Sequence, residues 1–263
     1  MTVTARLRHL WAARRQPDRP RGPADSEAYG RYATAIDVFQ PWRHDPHIAN
    51  LMGELKAAKS TTLVSSERLW TIKWAFLQTQ SVPGEIWEAG VYRGGTARLI
   101  RALMIDHGGA NCSRLRLFDS FAGLPAGRAG IDLHGRGEFA DTSLAEVRAF
   151  VGNDEFIDYR AGWIPDTFSG LERSPIRLAH LDVDLYDPTL SCLAQVYPRL
   201  APGGIIVLDD YGFASCPGVR KAVDEFFHDK PDLPLTLPSG QAFVVHTGGR
   251  GEIPGNAAPP VHA

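Results

Sequence analysis

Two pairs of carboxylates stand directly after apolar segments, and they are the residues of this chain best suited to chemistry. Asp182 and Asp184 end one such segment, and Asp209 and Asp210 end the next. Both segments predict short strands buried on two faces, and open α/β folds bind ligands at the carboxyl ends of such strands. Because four acids in one crevice repel one another unless a cation or proton offsets them, the pattern predicts a site for a hard divalent cation.

The elements that position these acids alternate between apolar strands and amphipathic helices, which predicts an α/β fold with a doubly wound, mostly parallel sheet. The expected strands are 84–88, 114–118, 156–160, 176–181 and 204–208, with closing strands near 233–237 and 242–246. The expected helices are 66–78 with Ser66 as N-cap, 96–107, 143–151, 189–199 and 217–228.

A glycine turn follows the first predicted strand. Gly90 permits a tight turn, while Gly94 and the glycine after it let the backbone approach a ligand beside helix N-terminal amides. Glu88, just before the turn, suits the cationic amino-acid end of S-adenosylmethionine better than a pyrophosphate. Asp119 ends the next strand, where a carboxylate can accept both hydrogen bonds of a ribose diol. A turn that binds no nucleotide is the alternative.

Five motifs together resemble the macrocin-type O-methyltransferases. They lie at residues 88–95, 118–125, 162–168, 180–186 and 202–211, in the family's order within about residues 60–230. The resemblance implies a class I, Rossmann-like methyltransferase fold with an N-terminal helical cap. It also implies an enzyme that uses S-adenosylmethionine and Mg²⁺ to methylate sugar hydroxyls on antibiotics and related secondary metabolites.

Roles for the acids follow from the resemblance. Asp182, Asp209 and Asp210 are expected to hold the metal, which would also bind a diol of the acceptor, and Asp184 is the candidate general base. His180 is interpreted as a hydrogen-bonded core residue. The expected cofactor-binding residues are Glu88, Gly90, Tyr92, Gly94, Thr96, Asp119, Ser120, Gly162, Trp163 and Asp182.

Further expectations concern a tryptophan, two serines and a long polar segment. Trp163 either stacks on the adenine or fills the core. Ser65 and Ser66 are candidates to approach the methionyl carboxylate. The long polar segment 123–142, which contains His134, Arg136 and Glu138, either closes over the acceptor or has no role in function.

Composition limits the function classes and the organisation. A net charge of -2 argues against nucleic acid as the main partner, and no apolar run is long enough to span a membrane. Three widely spaced cysteines indicate neither a zinc site nor a disulfide framework, as expected of a cytoplasmic protein. The expected parts are a flexible arm (1–27), a helical cap (28–60), the methyltransferase domain (61–247) and a flexible tail (248–263), and the resemblance suggests a homodimer.

Three other functions compete with the sugar O-methyltransferase. A metal-dependent methyltransferase for a catechol or another phenolic diol would use the same site. A nucleotide-sugar glycosyltransferase is suggested by Asp182 and Asp184 alone, but the glycine turn with Glu88 speaks against it. A non-catalytic module is disfavoured because an unused cluster of buried carboxylates is costly.

Overall fold

The computed structural model describes residues 39–108 and 113–248. The predicted arm 1–27, residues 28–38 of the predicted cap and all but the first residue of the predicted tail lie outside the described residues. Within the described ranges, no helix combines the length and apolar character needed to cross a membrane.

One seven-stranded sheet forms the centre of the fold. Its strands in spatial order are β3, β2, β1, β4, β5, β7 and β6. Strand β7 runs antiparallel to β5 and β6, and the other neighbouring pairs are parallel. This arrangement confirms the predicted doubly wound, mostly parallel fold. The strands are β1 Glu85–Ala89, β2 Leu115–Asp119, β3 Ile157–Ala161, β4 Ile176–Leu181, β5 Leu200–Leu208, β6 Leu235–Thr236 and β7 Ala242–Val245.

Within residues 39–108 and 113–248, six α-helices cover the sheet. They are α1 Pro46–Ala57, α2 Ser66–Gln78, α3 Gly95–Asp106, α4 Leu144–Val151, α5 Tyr186–Val196 and α6 Pro217–Phe227. The same ranges contain three short 3₁₀ helices, Pro41–His44, Asp166–Phe168 and Tyr197–Arg199.

The strands divide the core into two halves because successive side chains point to opposite faces. Ile86 packs in the half that contains α1 to α4, whereas Trp87 packs in the half that contains α5 and α6. Ile205 and Ile206 of β5 divide in the same way. A sheet covered on both faces explains the near-continuous apolar runs of its central strands.

The described part of the predicted cap lies in the main core. Helix α1 buries Ile48, Leu51 and Leu55 in the half-core that it shares with α2 and α3. Arg98 of α3 donates two hydrogen bonds of 2.8 Å to the Glu54 carboxylate of α1. Residues 46–57 therefore form part of the helical layer on this face of the sheet.

Several element boundaries differ from those predicted. Helix α5, for example, spans Tyr186–Val196 instead of 189–199. Ser65, not Ser66, is the N-cap residue of α2, and its side chain makes no capping hydrogen bond. Strand β5 begins at Leu200 rather than at 204, because Gly203 donates to the His246 carbonyl at 2.7 Å and Gly204 accepts from the His246 amide at 2.9 Å. Pairing beyond β7 thus extends the strand through a Pro-Gly-Gly sequence that predicts a break.

Candidate active site

A cavity opens at the carboxyl ends of β1, β2, β4 and β5, around the point where the strand order reverses. Open α/β sheets bind ligands at this position. The empty space, including the open mouth, is about 1090 Å³. The predicted site residues that line it are Glu88, Gly90, Tyr92, Thr96, Asp119, Ser120, Gly162, Trp163, Asp182, Asp184 and Asp210.

The glycine turn brings two strands into contact. Gly90 has a φ of +85°, and a Cβ added there would lie 1.7 Å from the Asp182 carbonyl oxygen. Only glycine therefore lets the end of β1 approach the end of β4. Gly94 does not lie where it was predicted, at the ligand. A Cβ added to it would lie 2.5 Å from a methyl carbon of Val151. Gly94 is not among the cavity-lining residues and instead allows α3 to pack closely on α4.

Asp119 braces the glycine turn from the neighbouring strand. Its Oδ2 accepts hydrogen bonds from the amides of Val91 at 2.7 Å and Tyr92 at 2.8 Å. Its Oδ1 accepts from the Phe121 amide at 2.6 Å. This structural role was not predicted. A carboxylate has about four acceptor positions, so the arrangement retains capacity for a ribose hydroxyl.

Trp163 lies at the cavity and its residue surface is 45% exposed. It is not a core residue, which removes one of its two predicted roles. Ser65 and Ser66 do not line the cavity, whereas the preceding segment 61–64 does. A contact between those serines and a cofactor is therefore not supported by this arrangement.

A buried line of charged side chains runs beneath the cavity. The His180 ring lies between Glu88 and Asp209, at 3.4 and 3.3 Å from their nearest oxygens. Burial opposes protonation of His180, but the two carboxylates outweigh it and raise its pKa to about 9. His180 is fully buried, as expected for a core residue. Burial raises the pKa of Glu88, whose Oε2 has no hydrogen-bond partner.

Asp209 is held by donors that the sequence did not reveal. Arg68 donates to its Oδ2, and Gln241 donates to its Oδ1 at 2.7 Å. Although burial disfavours the ionised form, His180, Arg68 and Gln241 outweigh it and lower the pKa of Asp209. Asp209 is fully buried and is not among the residues that line the cavity.

The other three acids converge at the cavity wall. Asp182, Asp184 and Asp210 each offer an oxygen, and these oxygens all lie within 4.8 Å of one another. Burial and neighbouring carboxylates raise the pKa of Asp210 to about 7 and that of Asp182 well above its usual value. Asp184 has a left-handed φ of 58°, and burial raises its pKa to about 6. Strained backbone of this kind clusters at functional sites.

These acids fit a hard divalent cation. Oδ2 of Asp210 is buried and has no hydrogen-bond partner, and the three carboxylates supply only oxygen ligands. A cation would offset both their repulsion and the cost of burying them.

The segment 123–142, here called the strap, is docked against the fold. Asp132 Oδ1 accepts from the Tyr186 amide at the start of α5, at 2.9 Å, and Oδ2 accepts from the Arg128 amide at 2.7 Å. A Cβ on Gly218 of α6 would lie 1.8 Å from Asp132 Oδ1. The strap therefore reaches the turn that carries the acids, a contact that the sequence did not predict.

Known proteins match this chain over most of its length. The family model Macrocin-O-methyltransferase (TylF) matches residues 47–236. A Streptomyces olivaceus protein named 8-demethyl-8-(2,3-dimethoxy-alpha-L-rhamnosyl)-tetracenomycin-C 4'-O-methyltransferase is 31% identical over 189 residues, which are 67% of this chain and 71% of that protein. Demethyldecarbamoylnovobiocin O-methyltransferase from Streptomyces niveus is 31% identical over 64% of this chain and 68% of its own length.

Solved structures agree with these matches. The O-methyltransferase NovP has a TM-score of 0.64 and 29% identity, with 72% of this chain and 83% of that chain covered. The calicheamicin methyltransferase CalS11 has a TM-score of 0.60 at 20% identity, with 87% and 98% covered, which supports the fold. The family match, the sequence identity and the shared fold together establish that this chain belongs to the macrocin O-methyltransferase family.

Proposed function

We propose that this protein transfers a methyl group from S-adenosylmethionine to a sugar hydroxyl of a glycosylated secondary metabolite, with a divalent metal holding the acceptor's diol. The observation that carries the proposal is the convergence of Asp182, Asp184 and Asp210 at a cavity that also contains the glycine turn. Family membership and relatives named for methylation of antibiotic glycosides support it.

The cofactor would lie along the ends of β1 and β2. Glu88 would face the cationic amino group, and the Gly90 turn would let the methionyl end approach the backbone. Asp119 would accept from the ribose, while Trp163 would pack on the adenine. Glu88, Gly90, Asp119 and Trp163 all line the cavity.

The acceptor would lie on the β4 and β5 side. Asp182 and Asp210 would hold a Mg²⁺-class ion, which when bound stabilises negative charge on an acceptor oxygen. Asp209 would be the third ligand once Arg68 releases its Oδ2. Asp184 would remove the proton from the attacking hydroxyl, since a sugar hydroxyl is too weak an acid to ionise alone. Binding both reactants in one cavity would supply the alignment for in-line methyl transfer.

Calorimetry on EDTA-stripped full-length protein tests this function. We expect S-adenosylhomocysteine to bind with micromolar affinity, and Mg²⁺ to bind the wild type but not Asp182→Ala or Asp210→Ala. Asp154→Asn is the matched control, because Asp154, between α4 and β3, pairs with Arg101 of α3. A folded wild type that does not bind S-adenosylhomocysteine would refute the proposal, and binding of UDP-glucose instead would favour the glycosyltransferase.

Acceptor chemistry is tested separately. Labelled S-adenosylmethionine is incubated with rhamnosylated natural products and, in a parallel arm, with catechol. Methylation of the glycoside alone supports the sugar enzyme, whereas methylation of catechol alone supports the phenolic alternative. The homodimer and the cytoplasmic location stay predictions, and light scattering on the full chain tests the first.

A further inference from the structure

A second group of potential metal ligands lies beside the acids, and it mixes nitrogen, oxygen and sulfur. His134, Asp184 and Cys216 each offer one ligand atom, and these atoms all lie within 4.8 Å of one another. They come from the strap, from the turn after β4 and from the N-cap of α6. We propose that these three residues form a binding site for a soft divalent cation of the zinc class, which adjoins the acid cluster and shares Asp184 with it.

The ligand types discriminate between the two kinds of cation. Zinc binds thiolate, imidazole and carboxylate, whereas Mg²⁺ favours oxygen ligands alone. Cys216 Sγ lies 3.8 Å from Asp184 Oδ1. Two ligands of one tetrahedral zinc are separated by roughly 3.5 Å, given bonds of about 2.0–2.3 Å. Small side-chain shifts therefore suffice, and three protein ligands leave a fourth position for water.

The histidine already has the partner that metal-bound histidines use. His134 Nδ1 lies 2.7 Å from Glu138 Oε2, and the other oxygen of Glu138 accepts from the Gly135 amide at 2.6 Å. A carboxylate on one ring nitrogen fixes the tautomer and leaves the other nitrogen for an ion. Asp132 holds this part of the strap against the start of α5.

Binding replaces a proton by a metal at sulfur. The Cys216 thiol loses its proton to solvent as the metal–sulfur bond forms. If Asp184 is the base of the proposed function, the same ion occupies that base. Zinc-class ions then inhibit methyl transfer even in excess Mg²⁺, a consequence that rests on the proposed function.

Cobalt(II) is the probe, because it replaces zinc and reports thiolate ligation as a charge-transfer band in the near ultraviolet. The EDTA-stripped full-length protein is titrated without oxygen in millimolar Mg²⁺. We expect one cobalt per chain, the thiolate band, and displacement of cobalt by Zn²⁺. Cys216→Ser abolishes the band, and His134→Ala and Glu138→Gln each weaken cobalt binding by roughly tenfold or more.

Controls use the chain's other thiols and a distant histidine. Cys192→Ala, Cys112→Ser and His47→Ala are expected to keep the band and the affinity. The proposal is overturned by a folded wild type without the band, by a band that survives Cys216→Ser, or by displacement of cobalt by Mg²⁺ alone. The cobalt spectrum requires neither cofactor nor acceptor. Failure of S-adenosylhomocysteine to bind would therefore refute the proposed function without affecting the test of the zinc-class site.

Discussion

Asp184 is the residue whose proposed role as general base is most directly tested. Asp184→Asn keeps the size of the side chain but cannot take the hydroxyl proton. We expect kcat for a sugar acceptor to fall by about 100-fold or more, because general-base catalysis contributes that much. The affinity for S-adenosylhomocysteine should change by less than about twofold, since Asp184 lies on the β4 side of the cavity. Labelled-methyl transfer and calorimetry measure the two quantities.

The control for this change is again Asp154→Asn, which removes a carboxylate paired with Arg101 away from the cavity. A phenolic hydroxyl is far more acidic than a sugar hydroxyl. The activity of Asp184→Asn toward a phenolic acceptor should therefore fall much less than its activity toward a sugar acceptor. Equal losses of cofactor affinity and of kcat would show that Asp184 supports the cavity rather than the chemistry.

Arg68 competes with a metal for Asp209. Its guanidinium donates to Asp209 Oδ2 and to the Leu63 carbonyl, and it lies 5.0 Å from the centroid of the Phe213 ring. If Asp209 is a metal ligand, Arg68→Met removes a competing cation. Magnesium binding should then tighten by roughly threefold or more, because even in water two unit charges about 4 Å apart interact by about 1 kcal/mol. Calorimetry with Mg²⁺ measures the change.

Arg68→Lys retains the charge and should leave Mg²⁺ affinity close to that of the wild type. Weaker Mg²⁺ binding by a folded Arg68→Met protein would contradict the prediction that Arg68 competes with the metal. Asp209 would then serve to hold His180 and Gln241 in place.

The acids were predictable from sequence, but their partners were not. Asp182 and Asp210 each follow a buried strand, and the carboxyl ends of parallel strands meet at one edge of the sheet. The bond from Arg68 to Asp209 joins residues 141 positions apart, and Gln241 is 32 positions away. Such pairings depend on how α2 and β7 pack against β5, which local pattern does not specify.

The docking of the strap against the start of α5 can be tested by limited proteolysis. Asp132→Ala removes the acceptor for the Tyr186 amide at the start of α5 and for the Arg128 amide within the strap. Loss of a helix N-terminal acceptor costs about 1 kcal/mol. We expect trypsin to cleave the strap faster after Arg128 or Arg136, as measured by limited proteolysis and mass spectrometry.

Asp132→Asn is the matched variant, because its side-chain oxygen can still accept from the Tyr186 amide. It should be cleaved more slowly than Asp132→Ala. Identical cleavage of the wild type and Asp132→Ala would mean that the strap is held by other contacts, such as the ion pair between Arg128 and Asp187.

Element boundaries show where local signals fail. The amphipathic pattern predicts α2 to within one residue at its start, because Ser66–Gln78 buries one mainly apolar face. Strand β5 starts four residues earlier than predicted, since pairing between 203–204 and His246 overrides the local preference of a Pro-Gly-Gly sequence. The strap gave only a composition signal, and its docking depends on Asp132 meeting Gly218, 86 positions away in the sequence.

At the scale of the molecule, alternating strand and helix patterns predict the doubly wound sheet, because helical crossovers between parallel strands allow few other arrangements. The same patterns do not show how the end of the sheet is fixed to the helices. Asp232, after α6, accepts from the Tyr197 hydroxyl, from His246 Nδ1 and from the amide and hydroxyl of Thr247, at 2.6–3.1 Å. It thus connects the segments that follow α5, α6 and β7.

Asp232 is therefore expected to make the free energy of unfolding depend on pH in the acid range. Although burial opposes ionisation, hydrogen bonds from Thr247, His246 and Tyr197 lower its pKa to about 2 from 3.8. The unfolded chain binds the proton first, so this stabilisation of roughly 2 kcal/mol is complete above about pH 4 and is lost as pH falls to about 2. Asp232→Asn should lower the free energy of unfolding at pH 7 by about that amount, and its deficit should shrink below pH 4 in urea titrations. Asp229→Asn is the control, because Asp229 is exposed and pairs with Lys230, and it should show no such pH-dependent loss of stability. A deficit that is constant from pH 7 to pH 2 would contradict the assignment to the ionised carboxylate.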